Sequence, residues 1–443
     1  MKKLLIVLCA TASIGLSAQQ TQRLSLKEAI AHALSHKSEA EKAALEIEKS
    51  DYKIKEVRAN ALPNVSISGG LTYNPLLQEV IFPSFTNPNE SMKISLGQPW
   101  SSSVNATVTQ VLFNQSVFTG LKAARSTKEF YILNKELTEE QIIEKVANAY
   151  FQVYQTQQKL NNLESNLALT EKTVKVIQGQ YEAGLARKID LDRASVTLNN
   201  LKSTQQQLLN AVQIAQNALK FMAGLPMDTH IELPEDTFAP AILALSEQAD
   251  VSKRTEVQVI EKQIELLEWQ KKANQSEYYP SAALAVNYGW LGQGKKMPWW
   301  HGEADKVYWS DLASVGLNVK IPIFSGFSIK SKIKQSELEI QSAQAGLKDT
   351  KLALEMAYKN ATEQMKNTAI SIDVQQENVK LAEDVLTNTQ NNYQYGLATL
   401  TDLLDAERVL ADAKNNLTNA KLDYKLAEIE YLKAQGNLKS LIK

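Results

Sequence analysis

Two aspartates, Asp402 and Asp405, are the residues of this sequence whose type and spacing best suit chemistry with cations. They stand three positions apart at the start of a segment with helical periodicity, so both carboxylates would lie on one face of a helix. If copies of the chain meet around an axis, such pairs gather into a ring of negative charge. Acidic residues in a first helical turn also complement the helix dipole, and the spacing alone favours that simpler interpretation.

Few other residues suggest catalysis or metal binding. His32 and His36 are four positions apart, as a metal-binding pair on a helix would be, but no third ligand or HExxH pattern accompanies them. A solvated helix face is the better interpretation of this pair. The sequence also contains no phosphate-binding glycine loop and no nucleophile motif. We therefore expect no enzyme activity, no metal and no cofactor.

The composition excludes nucleic acid as a partner, because a formal net charge of -1 over 443 residues gives no basic excess to bind phosphate. Residues 1–18 are typical of a signal peptide, with two lysines, an apolar run and small residues before Gln19. The single cysteine, Cys9, lies inside it, so we expect a mature chain without thiol or lipid. No later apolar stretch approaches the roughly 20 residues of a membrane-spanning helix. An exported chain without a membrane-spanning helix is expected to be a periplasmic protein, a secreted protein or a β-barrel.

A tandem repeat organises the rest of the chain. Residues 181–191 recur as residues 393–403 at an offset of 212, and the two copies align Gly184 with Gly396. Each glycine stands between two long helical patterns, where a left-handed residue is needed to end a helix.

The repeat also predicts the domain boundaries. Residues 225–250 contain three prolines and separate the two copies, which favours a linker there. We therefore expect a first repeat at 19–224 and a second at 251–443. Each repeat has the pattern of a helix, two strands, a very long helix, a tight turn and a long returning helix.

The helices follow from capping and from apolar spacing. Ser25 and Glu28 form a capping-box pattern at the start of a first helix that can run to about Ala61. No proline interrupts residues 119–181, so one helix there would be about 90 Å long. Its apolar residues recur at three-four spacing on an otherwise polar surface, which is typical of a coiled coil. The spacing alone does not distinguish a solid coiled coil from a hollow one.

Four segments, at 65–73, 104–109, 282–290 and 313–321, alternate apolar with small or polar residues and predict strands with two unlike faces. An open sheet of this kind would leave unpaired backbone groups in a bilayer, so the strands must close with those of other copies. Two copies would give a barrel filled by its own side chains, whereas three copies give twelve strands and a wider lumen. We expect three.

The ends of these strands fit the same arrangement. Five of the six tryptophans lie at strand ends or in the loops beyond, where amphipathic rings favour the membrane interface. The connections at 74–99 and 291–310 are long. The first contains four prolines, which predict an irregular loop. We expect both to face the outside.

Together these features resemble the TolC-like outer-membrane efflux proteins along essentially the whole mature length. The motifs that carry the resemblance are Leu26-Lys-Glu-Ala29, Leu62-Pro63, Tyr279-Pro280, Pro322-Ile-Phe-Ser-Gly326, the two Tyr-x-x-Gly-Leu turns, and Thr401-Asp-Leu-Leu-Asp-Ala406. The resemblance implies a mainly α protein with a β membrane part. It also implies a homotrimer, in which four strands per chain form a 12-stranded β-barrel and coiled-coil hairpins form an α-barrel. The homotrimer would conduct substrates from a periplasmic adaptor and an inner-membrane pump to the outside.

The resemblance also implies roles for particular residues. Asp402 and Asp405 would ring the pore constriction, and Asp190 and Tyr393 would make the contacts that hold the gate closed. Ala398 stands where the best-known member of the family has an arginine in the closing network. The turns that would dock the adaptor contain Gly184, Leu185, Gly396 and Leu397.

The alternative is a periplasmic coiled-coil adaptor or scaffold protein of a transport system. Such a protein would share the long hairpins. It would lack the duplicated strand pairs with aromatic ends, which favour an outer-membrane channel whose helical part lies in the periplasm.

Overall fold

The structure is a computed structural model that describes residues 22–83, 91–234 and 250–442. The expected signal peptide at 1–18, with Cys9, lies outside the described residues, as does most of the expected linker. The repeat boundaries at 224 and 251 therefore stay a prediction.

The α-helices of the described residues range from 11 to 68 residues in length. They are α1 (Leu26–His36), α2 (Ser38–Ala59), α3 (Gln115–Glu182), α4 (Lys188–Ala223), α5 (Thr255–Ser276), α6 (Ser328–Gln394) and α7 (Leu400–Ala434). Within the described ranges, none of them combines the length and the apolar character needed to cross a lipid bilayer.

The strands are β1 (Gln22–Arg23), β2 (Asn64–Tyr73), β3 (Gln78–Pro83), β4 (Ser91–Leu96), β5 (Trp100–Asn114), β6 (Ile231–Glu232), β7 (Ser281–Gly294) and β8 (Val307–Lys320). The described chain forms two compact units. The first, here the helical unit, combines residues 22–46, 132–234, 250–260 and 346–442. The second, here the sheet unit, combines residues 47–83, 91–131 and 261–345.

In the sheet unit, four antiparallel strands pair in the order β2-β5-β7-β8. Their register places like residues beside each other, because Ile67 is opposite Ala106 on one face and Ser68 is opposite Asn105 on the other. This confirms the four expected strands and their two unlike faces. On the polar face a side-chain ladder crosses three strands, from Thr107 Oγ1 to Asn287 Oδ1 at 2.9 Å and from Asn287 Nδ2 to Ser314 Oγ at 3.3 Å.

The expected irregular loop at 74–99 is wrong in part, because β3 and β4 form a hairpin within it. Val80 and Ile94 are paired across this hairpin, and Lys93 lies 3.6 Å from Glu79. The prolines do not prevent the pairing, because Pro83 ends β3 and the other described prolines lie outside both strands. The loop expected at 291–310 is also shorter, because β7 and β8 remain paired as far as Gly294 and Val307.

The first helix is divided, which corrects the expectation of one helix from Ser25 to about Ala61. The capping box is confirmed, since Ser25 Oγ accepts from the Glu28 backbone N–H and the Glu28 carboxylate accepts from the Ser25 N–H. At Lys37, however, the backbone is extended, with ψ at 130°. Lys37 Nζ donates to the Phe221 carbonyl of α4 at 2.7 Å and lies 3.8 Å from the centroid of the Phe221 ring. Contacts with α4 thus override helix propensity.

The tandem repeat is confirmed and is visible in the backbone. Gly184 and Gly396 both have φ at 76°, and Gly224 and Gly436 both have φ at 72°. All four end helices, where glycine adopts the left-handed conformation without the penalty of a Cβ. The two long helices, α3 with 68 residues and α6 with 67, occupy the same place in each copy.

Candidate functional site

The candidate site residues all lie in the helical unit, near the turns of two hairpins. The α3–α4 hairpin is called the first hairpin and the α6–α7 hairpin the second. Both turns close in the same way, because the Leu185 N–H donates to the Gln180 carbonyl at 2.7 Å and the Leu397 N–H donates to the Asn392 carbonyl at 2.8 Å. Leu185 and Leu397 are 82% and 78% exposed. Each turn therefore presents one uncovered apolar side chain in this chain.

Asp402 caps its own helix. Its carboxylate accepts from the Thr399 backbone N–H at 2.8 Å and from Thr399 Oγ1 at 2.7 Å, while Thr399 Oγ1 accepts from the Asp402 N–H at 3.2 Å. The hydrogen bonds from the Thr399 side chain and backbone hold the pKa of Asp402 below its usual range. The carboxylate thus stays ionised to lower pH than an ordinary aspartate.

Asp405 is exposed on the surface of α7. It pairs with Arg408, whose Nη2 donates to Oδ1 at 2.8 Å, and Arg408 also lies 3.4 Å from Asp412. In this single chain, both aspartates of the expected constriction have local partners and face solvent. Their role in a ring around an axis stays a prediction.

Asp190 and Tyr393 are not hydrogen-bonded to each other in the described chain. Asp190 accepts from Arg187 Nε at 3.0 Å and Nη2 at 3.2 Å, and this bonding lowers its pKa. The Tyr393 hydroxyl instead donates to Gln180 Oε1 at 3.3 Å. Burial raises the pKa of Tyr393, and the charge of Asp190 adds to the effect.

Apolar side chains join the two hairpins, and together they are called the seam. One cluster packs Ile177 and Ala194 of the first hairpin against Leu400 of the second, and a second cluster contains Leu403, Ala406 and Leu386. Tyr393 packs against both clusters. The seam is therefore the contact that must change if the second hairpin is to move away from the first.

Two polar contacts in the seam were missed by the sequence analysis. Glu407 of α7 is buried, and its carboxylate accepts from Thr170 and Thr173 of α3. A signal for it existed, because Glu407 follows Leu403 by four positions and so interrupts the apolar stripe of its helix. The second contact joins Arg193 Nη1 to Thr401 Oγ1 at 3.0 Å. This contact places Arg193 of the first hairpin beside Thr401 of the second, and Thr401 follows Ala398 by three positions.

The histidine pair has no metal-like geometry. His32 Nδ1 hydrogen-bonds the Ala223 carbonyl at 2.9 Å, and its ring stacks on His36 with centroids 4.1 Å apart. His36 is exposed as expected, but His32 is partly buried against α4, which corrects that half of the interpretation. Among the residues with described positions, no cluster of three or more potential metal ligands occurs.

The chain thus combines a four-stranded sheet that has one apolar face with two long helical hairpins. The family model for outer membrane efflux proteins matches residues 29–225 and 248–437 of this chain. The chain belongs to the outer membrane efflux protein family.

Individual relatives and solved structures agree with this family assignment. The chain is 24% identical over 392 residues to the outer membrane protein TolC of Vibrio cholerae, covering 86% of this chain and 83% of that protein. It is 23% identical over 449 residues to TolC of Escherichia coli K12, covering 99% and 87%. The crystal structure of VceC from Vibrio cholerae superposes with a TM-score of 0.73 at 19% identity, covering 93% of this chain and 96% of that one.

These findings confirm the resemblance to TolC-like proteins, the fold class and the outer-membrane location. They also confirm the channel role and decide against the adaptor or scaffold alternative, because the family is one of transport channels.

Proposed function

We propose that three copies of this chain close one twelve-stranded barrel and one helical tunnel. This assembly carries substrates out of the periplasm, and a periplasmic adaptor and an inner-membrane pump deliver them to it. The observation that carries the proposal is the sheet with two free edges. Within the described chain, β2 with 10 residues and β8 with 14 pair on one side only. Unpaired backbone groups in hydrocarbon cost several kcal/mol each, so these edges need partners from other copies.

The faces of the sheet support a position in the membrane. Val65, Ile67 and Val315 are 68%, 75% and 73% exposed, which in water would be an unfavourable apolar surface. Contact with lipid removes that cost. The ladder of Thr107, Asn287 and Ser314 lies on the opposite face and would line an aqueous lumen.

The helical part supports the periplasmic half of the proposal. Exposed Leu185 and Leu397, held by Gly184 and Gly396 at the hairpin turns, provide apolar points at which an adaptor can dock. Asp402 and Asp405 from three chains would surround the axis as the pore constriction. Asp190 and Tyr393 would contribute the contacts that keep this entrance closed. The assembly transports its substrate without chemical change, so catalysis, a metal and a cofactor form no part of the proposal.

Cysteine cross-linking tests the closure directly. A cysteine at Ser66 of β2, combined in turn with cysteines along the polar face of β8 at Ser314, Gly316 and Asn318, should give covalent trimers for at least one pair. The closed barrel brings β2 of one copy beside β8 of the next. The same protein should occur as heat-resistant trimers in the outer-membrane fraction.

A matched control uses two residues that pair within one chain. Ser66 lies opposite Thr107 in the register, so cysteines at these two positions should cross-link without forming larger species. Covalent dimers as the end product from the β2–β8 pairs, or no cross-linked species at all, would contradict a closed trimer.

A further inference from the structure

A buried carboxylate lies in the seam between the two hairpins. Glu407 of α7 is 3% exposed. Its Oε2 accepts from Thr170 Oγ1 at 3.1 Å and its Oε1 accepts from Thr173 Oγ1 at 2.9 Å, so both oxygens bind α3. Thr170 is itself 1% exposed. One side chain therefore joins the second hairpin to the first through a largely buried contact.

The charged groups on the surrounding helices are engaged elsewhere or face solvent. On α7 Arg408 pairs with Asp405 and Asp412, and Lys414 pairs with Glu383 of α6. On α3 Glu171 pairs with Lys202 of α4, while Lys172 and Lys175 are exposed. In the part of the chain that the structure describes, no cation lies within ion-pair distance of the Glu407 carboxylate.

Burial without a cation makes the charged form of Glu407 costly. Two hydroxyl groups offset only part of the free energy of removing a carboxylate from water. Burial accordingly raises the pKa of Glu407 above its usual 4.5, although the hydrogen bonds from Thr173 and Thr170 act in the opposite direction. The neutral acid can keep both threonine contacts, because its O–H donates to one hydroxyl and its carbonyl oxygen accepts from the other.

The position of Glu407 connects this titration to the proposed gate. Its neighbour Ala406 is buried against Leu386, and Leu403 one turn earlier packs in the same cluster. Asp402 and Asp405 stand on the same helix, five and two positions before it. A change in how tightly Glu407 holds α3 thus acts on the helix that carries the expected constriction.

We propose that Glu407 is a proton-sensitive positioning residue of the gate. When protonated it holds α7 against α3, and when ionised it weakens the seam, so that the second hairpin separates more readily as the pH rises. The link to the gate rests on the proposed function, whereas the titration of the seam does not.

The direction of the pH dependence follows from linkage. Because the closed seam binds the proton more tightly than the opened one, the closed seam is most stable below the ordinary pKa of 4.5, and this proton-linked stability is lost as the pH rises through the raised native pKa. Between those two values, the equilibrium for opening changes by about tenfold per pH unit. Above the native pKa the stability of the seam becomes constant again.

Thiol labelling of the full-length trimer tests this proposal. Ala406→Cys places a buried thiol next to Glu407, and Ala420→Cys places one in a separate buried cluster of the same helix. Each is labelled in the native background and with Glu407→Gln, using a dithiodipyridine reagent that reacts at acid pH. The labelling rate in the native background is divided by the rate in the Glu407→Gln background. This ratio cancels the effect of pH on the reactivity of the thiol itself.

At position 406 this ratio should be near one in acid and should rise by about tenfold per pH unit above 4.5, until the native carboxyl is ionised. At position 420 it should stay near one throughout. Thr173→Val removes a bond that favours the charged form in the closed seam, so the rise should still begin above 4.5 but should level off at higher pH. A ratio at position 406 that does not change with pH would overturn the role of Glu407.

Single-channel recording separates this proposal from the proposed function. At neutral pH, Glu407→Gln should lower the resting conductance relative to the native trimer, because the neutral amide keeps the seam closed. A resting conductance that matches the native trimer would overturn the link between the seam and the gate. Absence of any ionic current through native trimers would overturn the proposed function, and the labelling result would still stand.

Discussion

The Tyr393 hydroxyl donates a hydrogen bond to Oε1 of Gln180, 3.3 Å away, and so joins the second hairpin to the first. A neutral hydrogen bond of this kind contributes only about 0.5–1.5 kcal/mol. The contact from Arg193 to Thr401 nearby is exposed and is equally modest. The seam near the turns therefore combines apolar packing with a few weak polar contacts, which suits the reversible closed state of the proposed gate.

Replacing Tyr393 by Phe together with Asp190 by Ala should raise the resting conductance of the trimer. Loss of the bond to Gln180 alone would increase the open population by roughly 2- to 12-fold, given about 0.5–1.5 kcal/mol for the bond. Asp190→Ala also removes the carboxylate with which Arg187 pairs in the native chain. Planar-bilayer recording measures the effect. Tyr395→Phe is the matched control, because Tyr395 is 81% exposed and its hydroxyl should matter little; equal increases in both variants would contradict the role of Tyr393.

Alanine at Gly184 or Gly396 should destabilise the hairpins by about 1 kcal/mol each. The cause is the backbone, since both residues have φ at 76° and an added Cβ would meet nothing within 4 Å. Gly179→Ala and Gly346→Ala are matched controls in helices, where a Cβ also meets open space. They should instead stabilise by about 0.5–1 kcal/mol, because alanine is the better helix former. Thermal unfolding distinguishes the two groups, and a uniform effect would show that conformation is not the cause.

Spin labels should report opposite environments at neighbouring strand positions. Labels at Ile67 and Val286 should contact lipid, and labels at Ser68 and Asn287 should contact water, because the register places each pair on opposite faces of the sheet. Collision rates with oxygen and with a water-soluble nickel complex measure the two environments in reconstituted trimers. The reverse pattern would contradict the assignment of the lumen face.

The sequence predicted those parts of the fold that depend on local periodicity. Strand faces such as that of Ile67 follow from alternation, and the turns at Gly184 and Gly396 follow from the need for a left-handed residue. The sequence missed the break at Lys37, because that break depends on contacts with Phe221 of a helix nearly two hundred residues away. Local propensity carries no information about such a partner.

In the candidate site, too, local features could be predicted from the sequence and contacts between distant segments could not. The sequence favours a place for Asp402 in a first helical turn, and the structure adds the capping box that Asp402 forms with Thr399, a local motif. The partners of Tyr393 and Glu407 lie on the other hairpin, so no spacing within one segment could identify Gln180, Thr170 or Thr173. The proposed role of Asp402 and Asp405 in a constriction needs other copies of the chain, and local sequence carries no information about contacts between copies.

Asp402 and Asp405 should give the proposed constriction its negative charge. Three pairs of carboxylates around a narrow axis should attract cations strongly, because charges in a confined pore are screened less than at an open surface. Multivalent cations added on the periplasmic side should therefore block ion flow. The Thr399 contacts hold the pKa of Asp402 below its usual range, so the contribution of Asp402 to the block should persist to lower pH than that of an ordinary aspartate.

Replacing Asp402 and Asp405 together by Asn should weaken the block sharply while trimers persist. An Asn oxygen can still accept from the Thr399 N–H, so the helix start is retained and only the charge is lost. Asp412→Asn is the matched control, because Asp412 is exposed on the same helix and shares Arg408 with Asp405. It should leave the block unchanged. If the double variant keeps native block in single-channel recordings, Asp402 and Asp405 serve only to start and support their helix, and the constriction lies elsewhere.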